Sequence, residues 1–124
     1  MKKNLRILLV DDHVTAIASL AIILKQEGDM EVVGEASNGQ MAVDLTKDLH
    51  PDVVIMDVRM PVLNGIEATK RILAHHPHVK IIGFTMNSED NVAEAMQNAG
   101  AVACVSKSDS IENLLAIIRH CHPA

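Results

Sequence analysis

Residues 5–12 read LRILLVDD, an apolar run interrupted only by Arg6 that stops at two adjacent carboxylates, Asp11 and Asp12. Residues 53–57 repeat the arrangement as VVIMD, so a second apolar run also ends in a carboxylate, Asp57. Runs that are apolar throughout, rather than alternating with polar residues, are typical of strands covered on both faces. The two stretches therefore predict buried strands of a parallel sheet that end in acidic residues.

Apolar runs of this kind alternate along the chain with stretches of helical period. The repeated order strand–helix–strand implies parallel pairing through right-handed crossovers, and a closed barrel would need eight such units. The sequence therefore predicts one α/β domain, with an open doubly wound sheet and helices on both faces. The predicted strands are Leu5–Val10, Met30–Ala36, Val53–Met56, Val79–Phe84 and Val102–Val105.

The helices are predicted from apolar residues three and four apart and from residues that favour helix ends. The last helix is expected to start near Asp109, where Glu112 three residues later resembles a capping box. The other four are expected from Asp12 to Gly28, from Asn38 onward, from Asn64 to before Pro77, and up to Gly100.

Composition limits the classes of function. The chain has 124 residues, 48% of them hydrophobic, which suits one domain with its own core. Phe84 is the only aromatic residue of Phe, Trp and Tyr, so the core is expected to be aliphatic. The formal net charge of −5 disfavours binding to nucleic acid and to anionic membrane surfaces.

Two cysteines, Cys104 and Cys121, form neither a disulfide framework nor a CxxC motif. A reducing cytoplasm is therefore the expected location. The apolar run Leu5–Val10 is too short for a secretory or membrane segment, and none is predicted.

Reactive side chains are expected at the carboxyl ends of the strands, where open α/β sheets form their functional crevice. The first strand ends in Asp11 and Asp12, the third in Asp57, the fourth in Thr85, and the fifth next to Lys107. Each residue alone would be an ordinary helix cap or a solvated lysine. Their convergence on one edge predicts a site.

Carboxylates that lie close together raise one another's pKa, and a divalent cation removes the conflict. An all-oxygen site suits Mg²⁺, which typically takes one or two carboxylates together with a phosphate. Asp57 would then be a nucleophile that forms an aspartyl phosphate. Lys107 would pair with one phosphoryl oxygen and the Thr85 hydroxyl would donate to another.

The chain resembles a receiver domain of two-component signalling over essentially its whole length. The stretch MDVRMP at 56–61, followed by NGIEAT at 64–69, is similar to the NarL/FixJ branch with LuxR-type output. The other matching motifs are Val10-Asp11-Asp12-His13, Thr85, and Ala99-Gly100-Ala101 followed by Lys107. The resemblance implies a flavodoxin-like (βα)5 fold with strand order 2-1-3-4-5.

The resemblance also implies roles for individual residues. Asp57 would accept a phosphoryl group from a sensor histidine kinase. Asp12 and Asp57 would bind Mg²⁺ directly with the backbone carbonyl of Arg59, and Asp11 would act through a water. Thr85 and Lys107 would contact the phosphoryl group, and Pro61 and Gly65 would shape the loop beside Asp57.

Regulators of this branch carry a C-terminal helix-turn-helix domain, so residues 1–124 are expected to be the receiver alone, with that output domain absent. No direct DNA binding is expected from it, whereas a phosphorylation-dependent homodimer is an expected assembly. The sequence departs from the pattern at Cys104, where a switch aromatic usually lies, and also at Val14, Met86 and Ser108.

Two other functions compete with that of a phosphorylation-dependent receiver domain. A HAD-like phosphatase also uses an aspartyl nucleophile but favours Asp-x-Asp after the first strand, where residues 11–13 read Asp-Asp-His. A flavodoxin-type carrier would need Gly, Ser and Thr in that loop to hold a phosphate. The receiver function is preferred to both alternatives, so the chain is not expected to be a turnover enzyme.

Three further features have structural explanations that are preferred to functional ones. Residues 75–78 read HHPH and residues 120–122 read HCH, but neither group has a second ligand pair at zinc-finger spacing, so surface histidines are expected. Cys104 is expected to be an inert core thiol. The stripe Val14, Ala18 and Ile22 on the first helix is expected to pack on the fifth helix, with kinase docking as the alternative.

Overall fold

The computed structural model describes residues 4–60, 62–86 and 90–121. Pro61 and residues 87–89 of the loop after Thr85 lie outside the described residues. Strands and helices alternate as the sequence predicts. The strands are β1 (Leu5–Val10), β2 (Met30–Ala36), β3 (Val53–Met56), β4 (Lys80–Thr85) and β5 (Ala103–Ser106). The helices are α1 (Val14–Lys25), α2 (Gly39–Leu49), α3 (Gly65–His75), α4 (Asp90–Asn98) and α5 (Ile111–His120).

The sheet has the order β2-β1-β3-β4-β5 and its strand pairs are parallel, which confirms the flavodoxin-like doubly wound fold. Val10 at the end of β1 pairs with Met56 at the end of β3. Asp11 and Asp57 each come one residue later, so they leave the sheet at the same level. Thr85 pairs with Ser106 in the same way on β4 and β5.

The core has two halves because successive side chains of a strand point to opposite faces. Leu9 of β1 packs with α1 and α5, whereas Leu8 and Val10 pack with α2, α3 and α4. Both faces of the sheet are therefore covered, which explains why the central strand β3 is apolar throughout, whereas the edge strand β2 also carries exposed Glu31 and Glu35.

Most helix ends follow their sequence signals. The side chains of Asn38 and Asn64 cap α2 and α3 by accepting hydrogen bonds from backbone N–H groups. Gly100 has a φ of 114° just after α4, a left-handed conformation that glycine adopts without strain. The prediction for α5 is wrong by one residue, because Ser110 is the cap and accepts from the Asn113 N–H, so Asp109 and Glu112 do not form a capping box.

The expected burial of the stripe Val14, Ala18 and Ile22 is also wrong. Val14 is 77% exposed and Ile22 is 61% exposed, and Ala18 is exposed as well. The opposite face of α1, which includes Leu24, packs against the sheet and α5 instead. This apolar stripe therefore faces solvent.

Within the described ranges, the chain contains no helix with the length and apolar character needed to cross a lipid bilayer.

Candidate functional site

Two buried carboxylates stand side by side where β1 and β3 end. The backbone N–H of Asp11 donates to the Ala36 carbonyl at 3.0 Å, and that of Asp57 donates to the Val10 carbonyl at 2.9 Å. These bonds extend the parallel ladder by one residue on each strand. The two carboxylates are therefore held by backbone structure and are among the few buried charged groups of the described chain.

Lys107 brings a positive charge to these carboxylates. Its backbone N–H donates to the carbonyl of Thr85 at 2.7 Å, which fixes the start of the β5–α5 loop beside β4. Its Nζ donates to Asp11 Oδ2 at 2.5 Å and lies 3.9 Å from Asp57 Oδ2. The ammonium also lies 5.9 Å from the centre of the Phe84 ring, which covers it from one side. Lys107 therefore pairs chiefly with Asp11 and leaves Asp57 only partly compensated.

The environment of Asp57 opposes its ionisation. Burial raises the pKa of this carboxyl to about 6, the negative charge of Asp11 adds to the rise, and Lys107 opposes it. One carboxylate oxygen, Oδ1, accepts a hydrogen bond from the Val58 N–H at 2.9 Å. The other, Oδ2, faces the Lys107 ammonium.

Asp11 differs from Asp57 although both are buried. Burial alone would raise the pKa of Asp11, but hydrogen bonds from Lys107 and from the backbone and ring of His13 outweigh it and lower the pKa. The His13 N–H donates to Asp11 Oδ1 at 2.9 Å, and His13 Nδ1 lies 3.1 Å from the same oxygen. The surroundings of Asp11 therefore favour its ionised form.

Asp12 supplies an oxygen that needs a partner. Its Oδ1 atom is buried and accepts no hydrogen bond in the described chain. His13 Nδ1 lies 3.1 Å from this oxygen but not in hydrogen-bonding geometry. Ligand atoms of Asp11, Asp12, His13 and Asp57 all lie within 4.8 Å of one another. An unsatisfied buried carboxylate oxygen among three carboxylates fits a divalent cation.

The loop after β3 is shaped to approach Asp57. The Gly65 N–H donates to the Val58 carbonyl at 2.8 Å. A Cβ atom on Gly65 would lie 2.2 Å from the backbone oxygen of Asp57, so only glycine fits there. Arg59 lines the same surface cleft as Asp12, together with Met60 and other residues of this loop and of α4.

The structure brings Asp11, Asp12, Asp57 and Lys107 together at one edge, with the buried Thr85 adjacent through its backbone bond to Lys107. Sequence reasoning included His13 in the motif that follows the first strand but gave it no role at the site. Cys104 does not join the site. It is half-buried, and burial raises the pKa of its thiol, so it is a poor nucleophile.

Comparison with known proteins identifies a family. The response regulator receiver domain model matches residues 7–119. Response regulator GacA of Pseudomonas viridiflava is 34% identical over 115 residues, which cover 93% of this chain and 54% of that protein. Transcriptional regulatory protein LiaR of Bacillus subtilis is 38% identical with the same coverage of each chain. The chain thus spans about half the length of these curated relatives.

Solved structures agree with the sequence relatives. The response regulator domain of Thermotoga maritima CheB has a TM-score of 0.89 and 34% identity, and the match covers 96% of each chain. A two-component response regulator of the LuxR family from Aurantimonas sp. SI85-9A1 has a TM-score of 0.87 and 31% identity, covering 95% of this chain and 87% of that one.

Proposed function

The chain belongs to the response regulator receiver domain family, and we propose that it serves a two-component system by accepting a phosphoryl group on Asp57. One observation carries the proposal. Asp57 is a buried carboxylate, level with Asp11 and facing the Lys107 ammonium, with a neighbouring acidic oxygen that lacks a hydrogen bond. Such an arrangement suits phosphoryl transfer, which depends on positioning and on neutralising charge.

In the proposed reaction an oxygen of the Asp57 carboxylate attacks the phosphorus of the donor. The bond from phosphorus to the donor's leaving atom breaks, and the leaving group departs with that electron pair. Oδ2 is the better nucleophile because Oδ1 is engaged by the Val58 N–H. Lys107 would pair with one phosphoryl oxygen, and the Thr85 hydroxyl would donate to another.

The acidic group would hold Mg²⁺. Asp12 and Asp57 would be direct ligands together with the backbone carbonyl of Arg59, and Asp11 would act through a bound water. The unsatisfied oxygen of Asp12 and the convergence of the carboxylates support this assignment. The ion would supply neutralisation of the carboxylates and of the incoming phosphate.

The competing phosphatase function has less support. The family match and the named relatives are response regulators, and none of those named is a phosphatase. We therefore propose that the chain catalyses only its own phosphorylation and dephosphorylation, and does not turn over phosphate esters.

The partners of the whole protein follow from the same proposal. A sensor histidine kinase in the cytoplasm would donate the phosphoryl group, and an output domain outside residues 1–124 would act on transcription. Phosphorylation would favour a homodimer. The net charge of −5 argues against direct DNA binding by these residues themselves.

Phosphorylation by a small phosphodonor tests the assignment without knowledge of the kinase. Intact mass is measured after incubation with the donor and Mg²⁺ for wild type and Asp57→Asn. Asp44→Asn, an exposed residue of α2, is the matched control. We expect one added phosphate in wild type and in the control, and none in Asp57→Asn. Equal incorporation of phosphate in wild type and Asp57→Asn would exclude Asp57 as the acceptor.

A second variant tests the metal. Asp12→Ala should abolish Mg²⁺-dependent phosphorylation while the far-ultraviolet circular dichroism stays that of the wild type. Repeated release of phosphate from a generic phosphomonoester by the wild type would instead favour the phosphatase.

A further inference from the structure

Five of the seven histidines line one cleft of about 640 Å³ at the amino-terminal edge of the sheet, opposite the acidic site. In the sequence these histidines form separate groups, and each group alone lacks a second set of ligands. The fold supplies that second set by bringing residues 75–78 next to His120 and adding His50. The polar residues that line the cleft are His50, His75, His76, His78 and His120, together with Cys121, Asp52 and Lys80.

Three helices end at this cleft. His50 follows the last residue of α2, His75 is the last residue of α3 with His76 as its cap, and His120 is the last residue of α5. The carboxyl end of a helix carries partial negative charge from its free carbonyls. The cleft therefore combines imidazoles with the negative ends of three helices.

Asp52 adds a carboxylate, whose Oδ2 accepts a hydrogen bond from the Arg6 N–H. Two cations offset part of this negative charge, since Lys80 lines the cleft and the Arg6 guanidinium donates to the Leu49 carbonyl at the end of α2.

The rings of His50 and His76 are already close. Their centroids are 6.1 Å apart and the ring planes meet at 75°. Two imidazoles on one tetrahedral metal ion, with bonds of about 2 Å, have centroids roughly 5 Å apart. A small rotation of either side chain would bring a nitrogen of each ring to a shared ion.

The remaining ligands need a rearrangement. Among the described residues, Asp11, Asp12, His13 and Asp57 are the group whose ligand atoms lie within 4.8 Å of one another. The ring nitrogens of the cleft histidines do not form such a group of three, so they lie farther apart. His75, His78 and His120 are exposed, and exposed side chains change rotamer within nanoseconds. One of these exposed imidazoles would supply the third ligand after a change of rotamer.

Imidazole ligands favour zinc and other divalent transition metals over Mg²⁺, which prefers oxygen. We propose that this histidine cleft binds one divalent transition-metal ion of the zinc class, anchored on His50 and His76. The bound ion joins the ends of α2 and α3, and it stabilises the folded chain by an amount that grows with the logarithm of the free ion concentration above the dissociation constant.

The test is a zinc titration of the metal-depleted chain against a chromophoric chelator, with millimolar Mg²⁺ present to occupy the acidic site. The test variant is His50→Asn with His76→Gln, since Asn tolerates the left-handed φ of 49° at position 50. The matched control is Glu94→Gln, an exposed substitution on α4 that leaves every histidine in place and does not line the cleft. Circular dichroism verifies that each variant folds.

Wild type and the control should bind one zinc per chain, and zinc should raise the melting temperature of both. Loss of outer-shell groups alone weakens metal binding roughly 10- to 100-fold, so the double variant should lose at least about tenfold in affinity. Unchanged zinc affinity in the double variant would overturn the proposal, as would an equal loss of affinity in Glu94→Gln. A stoichiometry of one zinc per two chains, with a dimer in gel filtration, would overturn it in favour of an intermolecular site.

Discussion

At the scale of single residues, Asp57 is placed where its charge destabilises the fold. Its pKa rises from the ordinary 3.8 to about 6 because burial removes the carboxylate from water. Between those two pH values the folded state binds more protons than the unfolded state does. Stability therefore falls as pH rises from about 4 to about 6, and the ionised carboxylate remains unfavourable at pH 7.

Asp57→Asn should therefore stabilise the metal-free chain at pH 7 by about 1–3 kcal/mol, since one pKa unit corresponds to about 1.4 kcal/mol. The gain should shrink towards pH 4, where folded Asp57 is protonated and unfolded Asp57 is close to the midpoint of its titration. Urea denaturation in a chelator at pH 7 and pH 4.5 measures both values. Added Mg²⁺ should stabilise the wild type and leave the variant unchanged. A variant that is less stable than wild type at pH 7 would show that the Lys107 interaction outweighs burial.

Val62, in the loop after β3, has a strained backbone. Its φ is 70° and its side chain is 81% exposed, so a β-branched residue occupies a left-handed conformation without burial to compensate. Val62→Gly should raise the free energy of unfolding by about 1 kcal/mol, because glycine adopts this conformation freely.

Val14→Gly is the matched control for this prediction. Val14 is almost equally exposed but opens α1, where glycine lowers stability by roughly 0.5 kcal/mol or more. Chemical denaturation of both variants should give changes of opposite sign. A loss of stability in both would mean that the strain at Val62 is small.

At the scale of elements, α1 has two faces that should respond differently to mutation. Leu24 is fully buried in the core with α5, whereas Ile22, two residues earlier, is 61% exposed. Leu24→Ala should lower the free energy of unfolding by about 2–5 kcal/mol, and Ile22→Ala should change it by less than about 0.5 kcal/mol. Urea denaturation of the two variants measures the difference. A loss of more than about 1 kcal/mol in Ile22→Ala would show that the stripe is covered, for example by a second copy.

Sequence patterns predicted the bounds of a strand correctly where its apolar run and its hydrogen-bonded ladder end at the same residue. The bounds of β1, β2 and β3 agree with the predictions, but β4 and β5 each start and end one residue later than predicted. Thr85 and Ser106 continue the parallel ladder although they are polar. Hydropathy reports burial, and it cannot report the hydrogen bonds that define the end of a strand.

The site was predictable for a related reason. Asp11, Asp57 and Lys107 each follow a strand and Thr85 ends one, so the topology alone brings them to one edge. His13 and the histidine cleft were not predictable in this way, because their positions depend on side-chain direction and on where helices end. The exposed stripe of α1 was misjudged because three apolar residues at helical spacing do not reveal which neighbour, if any, covers them.

At the scale of the whole molecule, the question is how phosphorylation at Asp57 would reach the rest of the fold. Cys104 on β5 stands where receivers of this kind usually have an aromatic residue. A Cβ atom on Gly83 would lie 2.9 Å from Cys104 Sγ and 3.3 Å from the methyl of Met96. The thiol therefore faces the interior between β4 and α4, where the fully buried Met96 fills the space.

Cysteine has no ring that could rotate into or out of this space. We therefore predict that phosphorylation shifts the equilibrium between the inactive and active conformations only weakly. A ligand shifts a conformational equilibrium only by its differential contacts with the two states, and Thr85 alone offers few. Phosphorylation should therefore move the monomer only part of the way to the active conformation. Dimer formation would supply the remaining free energy by mass action.

Chemical-shift changes on phosphorylation, measured at concentrations where sedimentation shows a monomer, test this prediction. Cys104→Tyr supplies a ring and should shift further towards the active state than the wild type, whereas the matched Cys104→Val should behave as the wild type does. Raising the protein concentration should increase the shift in the wild type alongside dimer formation. If the wild-type monomer already reaches the end point of Cys104→Tyr, the aromatic residue is dispensable, and Thr85 with the β4–α4 loop is a sufficient switch.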